Sequence, residues 1–267
     1  MIRNLPALFI FLSLFLISCT TAPITGRGQL ILLSEYQEMQ LGLTAYNQAL
    51  KENKLSTNKA YIDSVRQVGT RIGPVTGKNY NWEFNVIESD VINAWCLPGG
   101  KIAFYEGILD IMDNEAQIAA VMGHEIAHAT ARHGGERISL GILAQVGAVA
   151  LQIAMRKKDS AIQYAVFQAY APTVLIGVIL PYSRLQESEA DQIGLIYMAR
   201  AGYNPEEAVT FWEIMYETNK GKPRPPEWLS THPPTPKRIQ AMREFLPEAM
   251  EIYLASEDKK IPVRQLH

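Results

Sequence analysis

Residues 114–129 read Asn-Glu-Ala-Gln-Ile-Ala-Ala-Val-Met-Gly-His-Glu-Ile-Ala-His-Ala, apolar at helical spacing except for the cluster His124-Glu-Ile-Ala-His128. Asn114 is suited to cap the start of such a helix. A helical histidine is ordinarily just a packed or solvated residue, but a helix this apolar needs a reason to carry two imidazoles and a carboxylate. Histidines four apart project from one face, a turn apart, where both can hold one metal ion while the intervening carboxylate reaches a water on that ion. The pattern implies metal-assisted hydrolysis with Glu125 as base, and the fold must bring a further ligand to this face.

The 267 residues can bury one substantial core, and no long linker, charge run or internal repeat interrupts them. A net charge of −2 with scattered Lys and Arg leaves no electrostatic footprint for nucleic acid. Arg3 followed by an apolar run over residues 5–17 reads as an export leader, the run being short for a spanning helix. Leu16-Ile-Ser-Cys19 resembles a bacterial lipobox, which implies cleavage before Cys19 and a lipid anchor on that thiol. Thr20 is not the Asp that resembles an inner-membrane retention signal, which favours the outer membrane, facing the periplasm. The expected organisation is a leader over 1–18 and a single domain over 19–267. Only Cys96 then remains, so no intrachain disulfide is expected.

Residues 34 to about 53 read as a helix with Ser34 and Gln37 in capping-box spacing and Leu41, Ala45 and Ala49 on one stripe. A second helix, 58 to about 72, carries Ile62, Val65, Val68 and Ile72. Between 81 and 104 the period changes to two, with strands at 82–87, 91–94 and 101–104 and turns at Ser89-Asp90 and Pro98-Gly99-Gly100, which predicts a small antiparallel sheet. Residues 140–155 and 161–180 are strongly apolar. The glutamines at 145, 152, 163 and 168 and the kinking Pro172 make them poor spans, so a buried or site-covering hairpin over about 139–181 is expected, one that touches the bilayer at most. A helix over 184–200 stops at Gly202, another starts at Asn204-Pro-Glu-Glu207, a proline-rich loop over 223–236 holds His232, and a last helix covers about 235–245. The fold class is α+β, mostly α.

A catalytic zinc site takes three protein ligands beside an open position. Candidates for the third are His133, Glu136, Glu187, Glu189, Asp191 and His232. His133 and Glu136 follow the motif too closely unless the helix breaks at Gly134-Gly135. Glu187 and Asp191 are four apart, so one can ligate while the other receives the free N–H of a ligand imidazole. Glu189 points about 160° from Asp191, toward expected solvent.

His124-Glu-Ile-Ala-His128 followed by Glu187-Ser-Glu-Ala-Asp191-Gln-Ile-Gly194 resembles the zinc metallopeptidase family of the CAAX prenyl endopeptidase and HtpX, most of all its BepA, LoiP and Oma-type branch. Pro23-Ile-Thr-Gly-Arg-Gly-Gln-Leu30, Asn93-Ala-Trp-Cys-Leu-Pro-Gly-Gly100 and Ser230-Thr-His-Pro-Pro-Thr-Pro-Lys-Arg238 extend the likeness over nearly all of the mature chain. No tetratricopeptide repeat follows, so LoiP-like lipoproteins are the nearer comparison. The resemblance implies a zincin-like gluzincin fold, Glu187 as third zinc ligand and Asp191 as its partner on a ligand imidazole. It also places His232 and Arg238 near the metal and makes the strand at Asn93 and Ala94 the edge on which extended substrate pairs.

The expected function is a zinc metalloendopeptidase acting on unfolded or misfolded envelope proteins in quality control, with outer-membrane assembly machinery as a further partner. Zinc is expected because two imidazoles and a carboxylate match its tetrahedral set. The alternative is a non-proteolytic chaperone or assembly factor with a structural or latent zinc site, closed by the apolar hairpin or by His232.

Overall fold

The computed structural model describes residues 19–221, 225–256 and 263–266; the expected leader and the side chain of Cys19 lie outside them. The chain divides into two compact units, Met1–Glu35 with Arg132–Gln186 and Tyr36–Ala131 with Glu187–His267. The first opens with antiparallel strands β1 (Cys19–Thr21) and β2 (Gly28–Leu30).

The second unit begins with α1 (Glu35–Glu52) and α2 (Lys59–Val75). The buried stripe of α1 is Glu38, Gly42 and Tyr46, not the expected Leu41, Ala45 and Ala49, and Leu41 is 54% exposed. Contact distance decides this: a Cβ on Gly42 would stand 2.5 Å from the Pro98 carbonyl oxygen, so the helix seats its glycine against the sheet turn, and Asn85 donates to the Tyr46 hydroxyl beside it. Helix α2 follows expectation, with Asn58 accepting from Ala60 and Tyr61 N–H and Val65, Val68 and Ile72 fully buried. Each of those side chains contributes about 1.5–3 kcal/mol by leaving water.

Strands β3 (Glu83–Ile87), β4 (Ala94–Leu97) and β5 (Lys101–Tyr105) form a sheet of order β3-β5-β4. Pairing of β3 with β5 is parallel and that of β4 with β5 antiparallel, so the sheet is mixed where a wholly antiparallel one was expected. Residues 88–93 carry the chain past β5 to its far side, and only there does it return as a hairpin. Gly99 and Gly100 close that hairpin at φ 88° and 82°, a region open to glycine. The middle strand also lies three residues later than expected, because the Ile92 carbonyl accepts from Trp228 N–H and leaves the ladder.

One turn, α3 (Glu106–Leu109), leads to α4 (Glu115–Thr130). Asn114 caps α4 through Ala116 and Gln117 N–H at 2.9 and 3.2 Å, and all sixteen residues of the helix are buried. Helix α4 packs on α2 and β4, and Arg132, at φ 55°, turns the chain just beyond its end.

In the first unit α5 (His133–Met155) and α6 (Ser160–Val174) form a hairpin whose tip is Arg156-Lys-Lys-Asp159. A π-helical turn, Leu175–Ile179, three residues after Pro172, carries α6 on into α7 (Leu180–Arg200), within which the second unit resumes at Glu187. At the hairpin base Arg27 grips Glu136 at 2.9 and 2.8 Å and Gln186 donates to it at 2.7 Å. Burial would raise that carboxyl, but Arg27 and Gln186 hold it below its usual range. The hairpin is not the buried element expected: of its two apolar windows 6% and 0% is buried. Its arms meet where Gly147 leaves room for Tyr170, a Cβ there standing 2.4 Å from the Tyr170 hydroxyl, and they turn branched side chains outward.

Helix α8 (Glu206–Asn219) starts after Asn204, which accepts from Glu206 N–H at 3.1 Å. A short α9 (Glu227–Thr231) and α10 (Pro236–Ala255) follow, the latter capped by Thr235. Helix α10 runs ten residues beyond its expected end, through Pro247, because Ala249 on the following turn is buried and offsets the lost hydrogen bond. With α8 packed on both α4 and α10, the class is α+β and mostly α, as expected.

Candidate active site

All the groups that converge on the motif belong to the second unit. Helix α4 supplies His124, Glu125 and His128, α7 supplies Glu187 and Asp191, the end of α9 supplies His232 and the first turn of α10 supplies Arg238. Helices α4 and α7 meet at two glycines: a Cβ on Gly123 would stand 2.9 Å from Gly194 O, and one on Gly194 2.9 Å from His124 N. Backbone against backbone is the closest approach two helices can make, and it brings Glu187 under both histidines.

One donor atom each from His124, His128, Glu187 and His232 lies within 4.8 Å of the others. His124 Nε2 is 3.1 Å from His128 Nε2 and 3.2 Å from His232 Nδ1. Glu187 stands 3.3 Å from His128 Nε2, 3.5 Å from His124 Nε2 and 2.9 Å from His232 Nδ1. Four donors at 2.0–2.1 Å from a tetrahedral ion would be separated by about 3.4 Å, which these distances approach. Three ring nitrogens crowded on one point cannot all find a proton and a lone pair among themselves, so the donor chemistry also fits a cation. The residues present therefore suit a metal ion.

His124 turns its other nitrogen, Nδ1, to Asp191 Oδ1 at 3.0 Å. In the metal-free chain burial would lower this imidazole, but Asp191 and Glu187 raise it to about 9. Burial would likewise raise Glu187, but His128, His124 and His232 hold its carboxyl far below the usual range. Asp191 is depressed too, against its burial, chiefly by Arg238, which donates Nε and Nη2 to the two carboxylate oxygens at 2.8 and 2.7 Å. Arg238 also reaches Glu187 at 3.1 Å and the Pro233 carbonyl at 3.1 Å, and its guanidinium lies 4.2 Å over the Trp212 ring.

Glu125 accepts a hydrogen bond from Trp228 Nε1 at 2.7 Å, and His232 Nε2 is 3.5 Å away. Trp228 stacks on Trp212 with centroids 4.9 Å apart, and Trp212 meets His124 edge-on. Neither tryptophan was among the sequence candidates. The signal available was Trp228 four residues before His232, a helical spacing within a loop read as irregular.

Of the expected set, His124, Glu125, His128, Glu187, Asp191, His232 and Arg238 come together. Ala94 opens the edge strand β4, while Asn93 lies just before it and donates Nδ2 to Glu227 at 3.2 Å. Glu189, expected in solvent, is only 4% exposed. From residue 186 onward most of α7 is interior, so the face away from Asp191 is interior too. Glu136 is engaged with Arg27 and Gln186 in the other unit.

The profile described as Peptidase family M48 matches residues 59–246. The mitochondrial metalloendopeptidase OMA1 of Schizosaccharomyces pombe is 34% identical over 85% of this chain and 66% of its own length. The human mitochondrial metalloendopeptidase OMA1 is 31% identical over 91% of this chain and 49% of its own. The beta-barrel assembly-enhancing protease of Escherichia coli is 30% identical over 85% of this chain and 47% of its own. The chain thus spans about half to two thirds of these relatives. The expected bacterial outer-membrane location is corrected by them: the yeast, human and plant matches are named as mitochondrial proteins.

Proposed function

The chain belongs to peptidase family M48, and we propose that it is a zinc-dependent metalloendopeptidase that cleaves unfolded or misfolded proteins in quality control. The observation that carries this reading is four donors within 4.8 Å of one another with the Glu125 carboxylate beside them. His124, His128 and Glu187 would hold the zinc, which when bound polarises the scissile carbonyl and acidifies water toward neutrality. Glu125 takes the proton of the attacking water and returns it to the leaving amine. Asp191 fixes the His124 tautomer, and Arg238 fixes Asp191. His232 donates to the developing oxyanion once it has left the ligand cluster. Extended substrate pairs along β4 from Asn93 and Ala94, a mode that accepts internal segments of chain.

Glu125→Gln should retain metal and lose about 10²–10⁴-fold in casein cleavage, the usual worth of a general base. Undiminished turnover would refute the assignment. If wild type cleaves nothing while both proteins suppress aggregation of unfolded chains equally, the non-proteolytic chaperone reading replaces it.

A latent resting state is favoured by one observation: α9 engages the site at three points. His232 Nδ1 takes a donor position, Trp228 Nε1 holds Glu125, and Trp228 N–H takes the Ile92 carbonyl just before β4. Weak cleavage by wild type and faster cleavage by Trp228→Phe, which frees Glu125, would support latency; equal rates would refute it. Membership of a LoiP-like branch, cleavage after residue 18 and acylation of Cys19 complete the proposal, the last two tested by the mass of the mature chain.

A further inference from the structure

The hairpin of α5 and α6 has no part in the proposed chemistry, yet its exposed surface is strongly apolar. Ile142, Val146, Val149 and Ile153 form one outward stripe of α5 and are 39–59% exposed. On the other arm Ile162, Leu175, Ile176 and Val178 are 43–66% exposed. Successive residues turn about 100° round a helix, so Leu175, Ile176 and Val178 face three directions. A docked protein covers one face of a helix, whereas the second arm turns apolar side chains outward on more than one.

Length and charge narrow the choice of covering. Residues 138–155 and 160–183 carry no charged side chain and extend about 27 and 36 Å at the helical rise, bracketing a hydrocarbon core of about 30 Å. Both helices meet the length and hydropathy of a membrane span. Charge returns at the tip, Arg156-Lys-Lys-Asp159, and at the base, with Arg137 and Arg184. Tyr164, 68% exposed, lies about a turn from the tip, where amphipathic rings favour the headgroup layer.

Tyr170, Thr173 and Gln163 find their partners within the hairpin, whereas Gln145 and Gln168 stay exposed on its surface. The Tyr170 hydroxyl donates to Ala144 O across the hairpin at 2.7 Å, and Thr173 Oγ1 donates to Ala169 O at 2.7 Å. Gln163 donates to Lys158 O at the tip, and Gln152, a turn before Arg156, stands at the same level. Pro172 does not break the second arm, since the helix continues through the π turn. Internal satisfaction of this kind is what hydrocarbon demands and water does not.

We propose that the α5–α6 hairpin inserts in a lipid bilayer, its arms in the hydrocarbon and its cationic tip at the far headgroup layer. The occupant of the apolar surface is thus lipid, whichever membrane the chain meets. This claim is independent of the catalytic reading.

The full chain, reconstituted in phosphatidylethanolamine and phosphatidylglycerol vesicles, tests it with tryptophans added singly at exposed positions. Val146→Trp and Ala171→Trp, each near the middle of an arm, should add blue-shifted emission. Lipids brominated at mid-chain should quench that emission at least about twofold more than lipids brominated near the headgroup, as depth in a 30 Å core requires. Glu213→Trp, on α8, should remain unquenched. Mid-arm tryptophans that escape quenching would mean a protein covering or water and would overturn the proposal. Stronger quenching by the shallow bromines would mean a hairpin lying along the surface and would overturn it equally. Two arms read separately keep the test decisive if one variant fails to fold.

Discussion

Arg238→Met removes a cation while keeping the length of its stem, and its effect can be worked from the contacts. The guanidinium is buried, closes two hydrogen bonds on Asp191 at 2.8 and 2.7 Å, and is the chief influence holding that carboxyl down against its burial. Without it Asp191 keeps only its contact with His124, and Glu187 loses a neighbour at 3.1 Å. Breaking a buried pair on one side costs about 3–5 kcal/mol. For a chain of this size each kcal/mol is worth about 2–4 °C, so the metal-free protein should melt about 6–20 °C lower. Asp191→Asn strands the cation instead and should also destabilise, though less, because Glu187 still faces Arg238. The double variant leaves neither charge stranded and should cost at least about 1 kcal/mol less than the two singles summed. The sign with pH follows from the depressed Asp191 carboxyl: the pair stabilises above the ordinary value of about 4 and loses its contribution only as acid approaches the lowered one. Urea unfolding of wild type and the three variants at neutral and acid pH measures all of this. Simple additivity, or a cost for Arg238→Met below about 0.5 kcal/mol, would refute the argument.

In metal-loaded protein Asp191→Asn should weaken zinc affinity about 10–100-fold, measured by competition with a chelating dye, because His124 loses the group that fixes its tautomer; unchanged affinity would remove Asp191 from that role. Metal binding must displace the proton that His124 holds up to about pH 9, so apparent affinity should climb with pH across the neutral range and level off near 9, with proton release visible by calorimetry in buffers of different ionisation enthalpy. The same raised value stabilises the metal-free fold fully below about 6.5 and ceases to do so as pH passes 9. Gly107→Ala would place a Cβ 2.2 Å from the Asp90 carbonyl oxygen, backbone that cannot swing aside; a loss of about 1–3 kcal/mol in urea unfolding is expected, and a neutral result would show that the loop at residue 90 can yield.

Helices α2 and α4 were legible because their signals are local. Asn114 is a cap whose side chain needs only the next three residues, and Val65, Val68 and Ile72 repeat at the period of one helix face. The four-residue spacing of Glu187 and Asp191 told that one could face a metal and the other an imidazole. What failed depended on distant partners. The α1 stripe was misread because Gly42 earns its burial from Pro98, fifty-six positions on. The parallel pairing of β3 with β5 depends on which side of β5 the loop over 88–93 takes, and no period records that choice. The hairpin was expected inside because apolarity alone does not tell a protein interior from other apolar surroundings. Trp228 and Trp212 went unseen since each matters only through the other and through Glu125.

The crossing of α4 and α7 at Gly123 and Gly194 makes the ligand gauge a property of the main chain. The tolerance at these two positions is narrow: a single methyl at either would part the helices by roughly an ångström, given how little a close-packed interior yields. Two residues outside the ligand cluster thus set the gap across which its donors face one another.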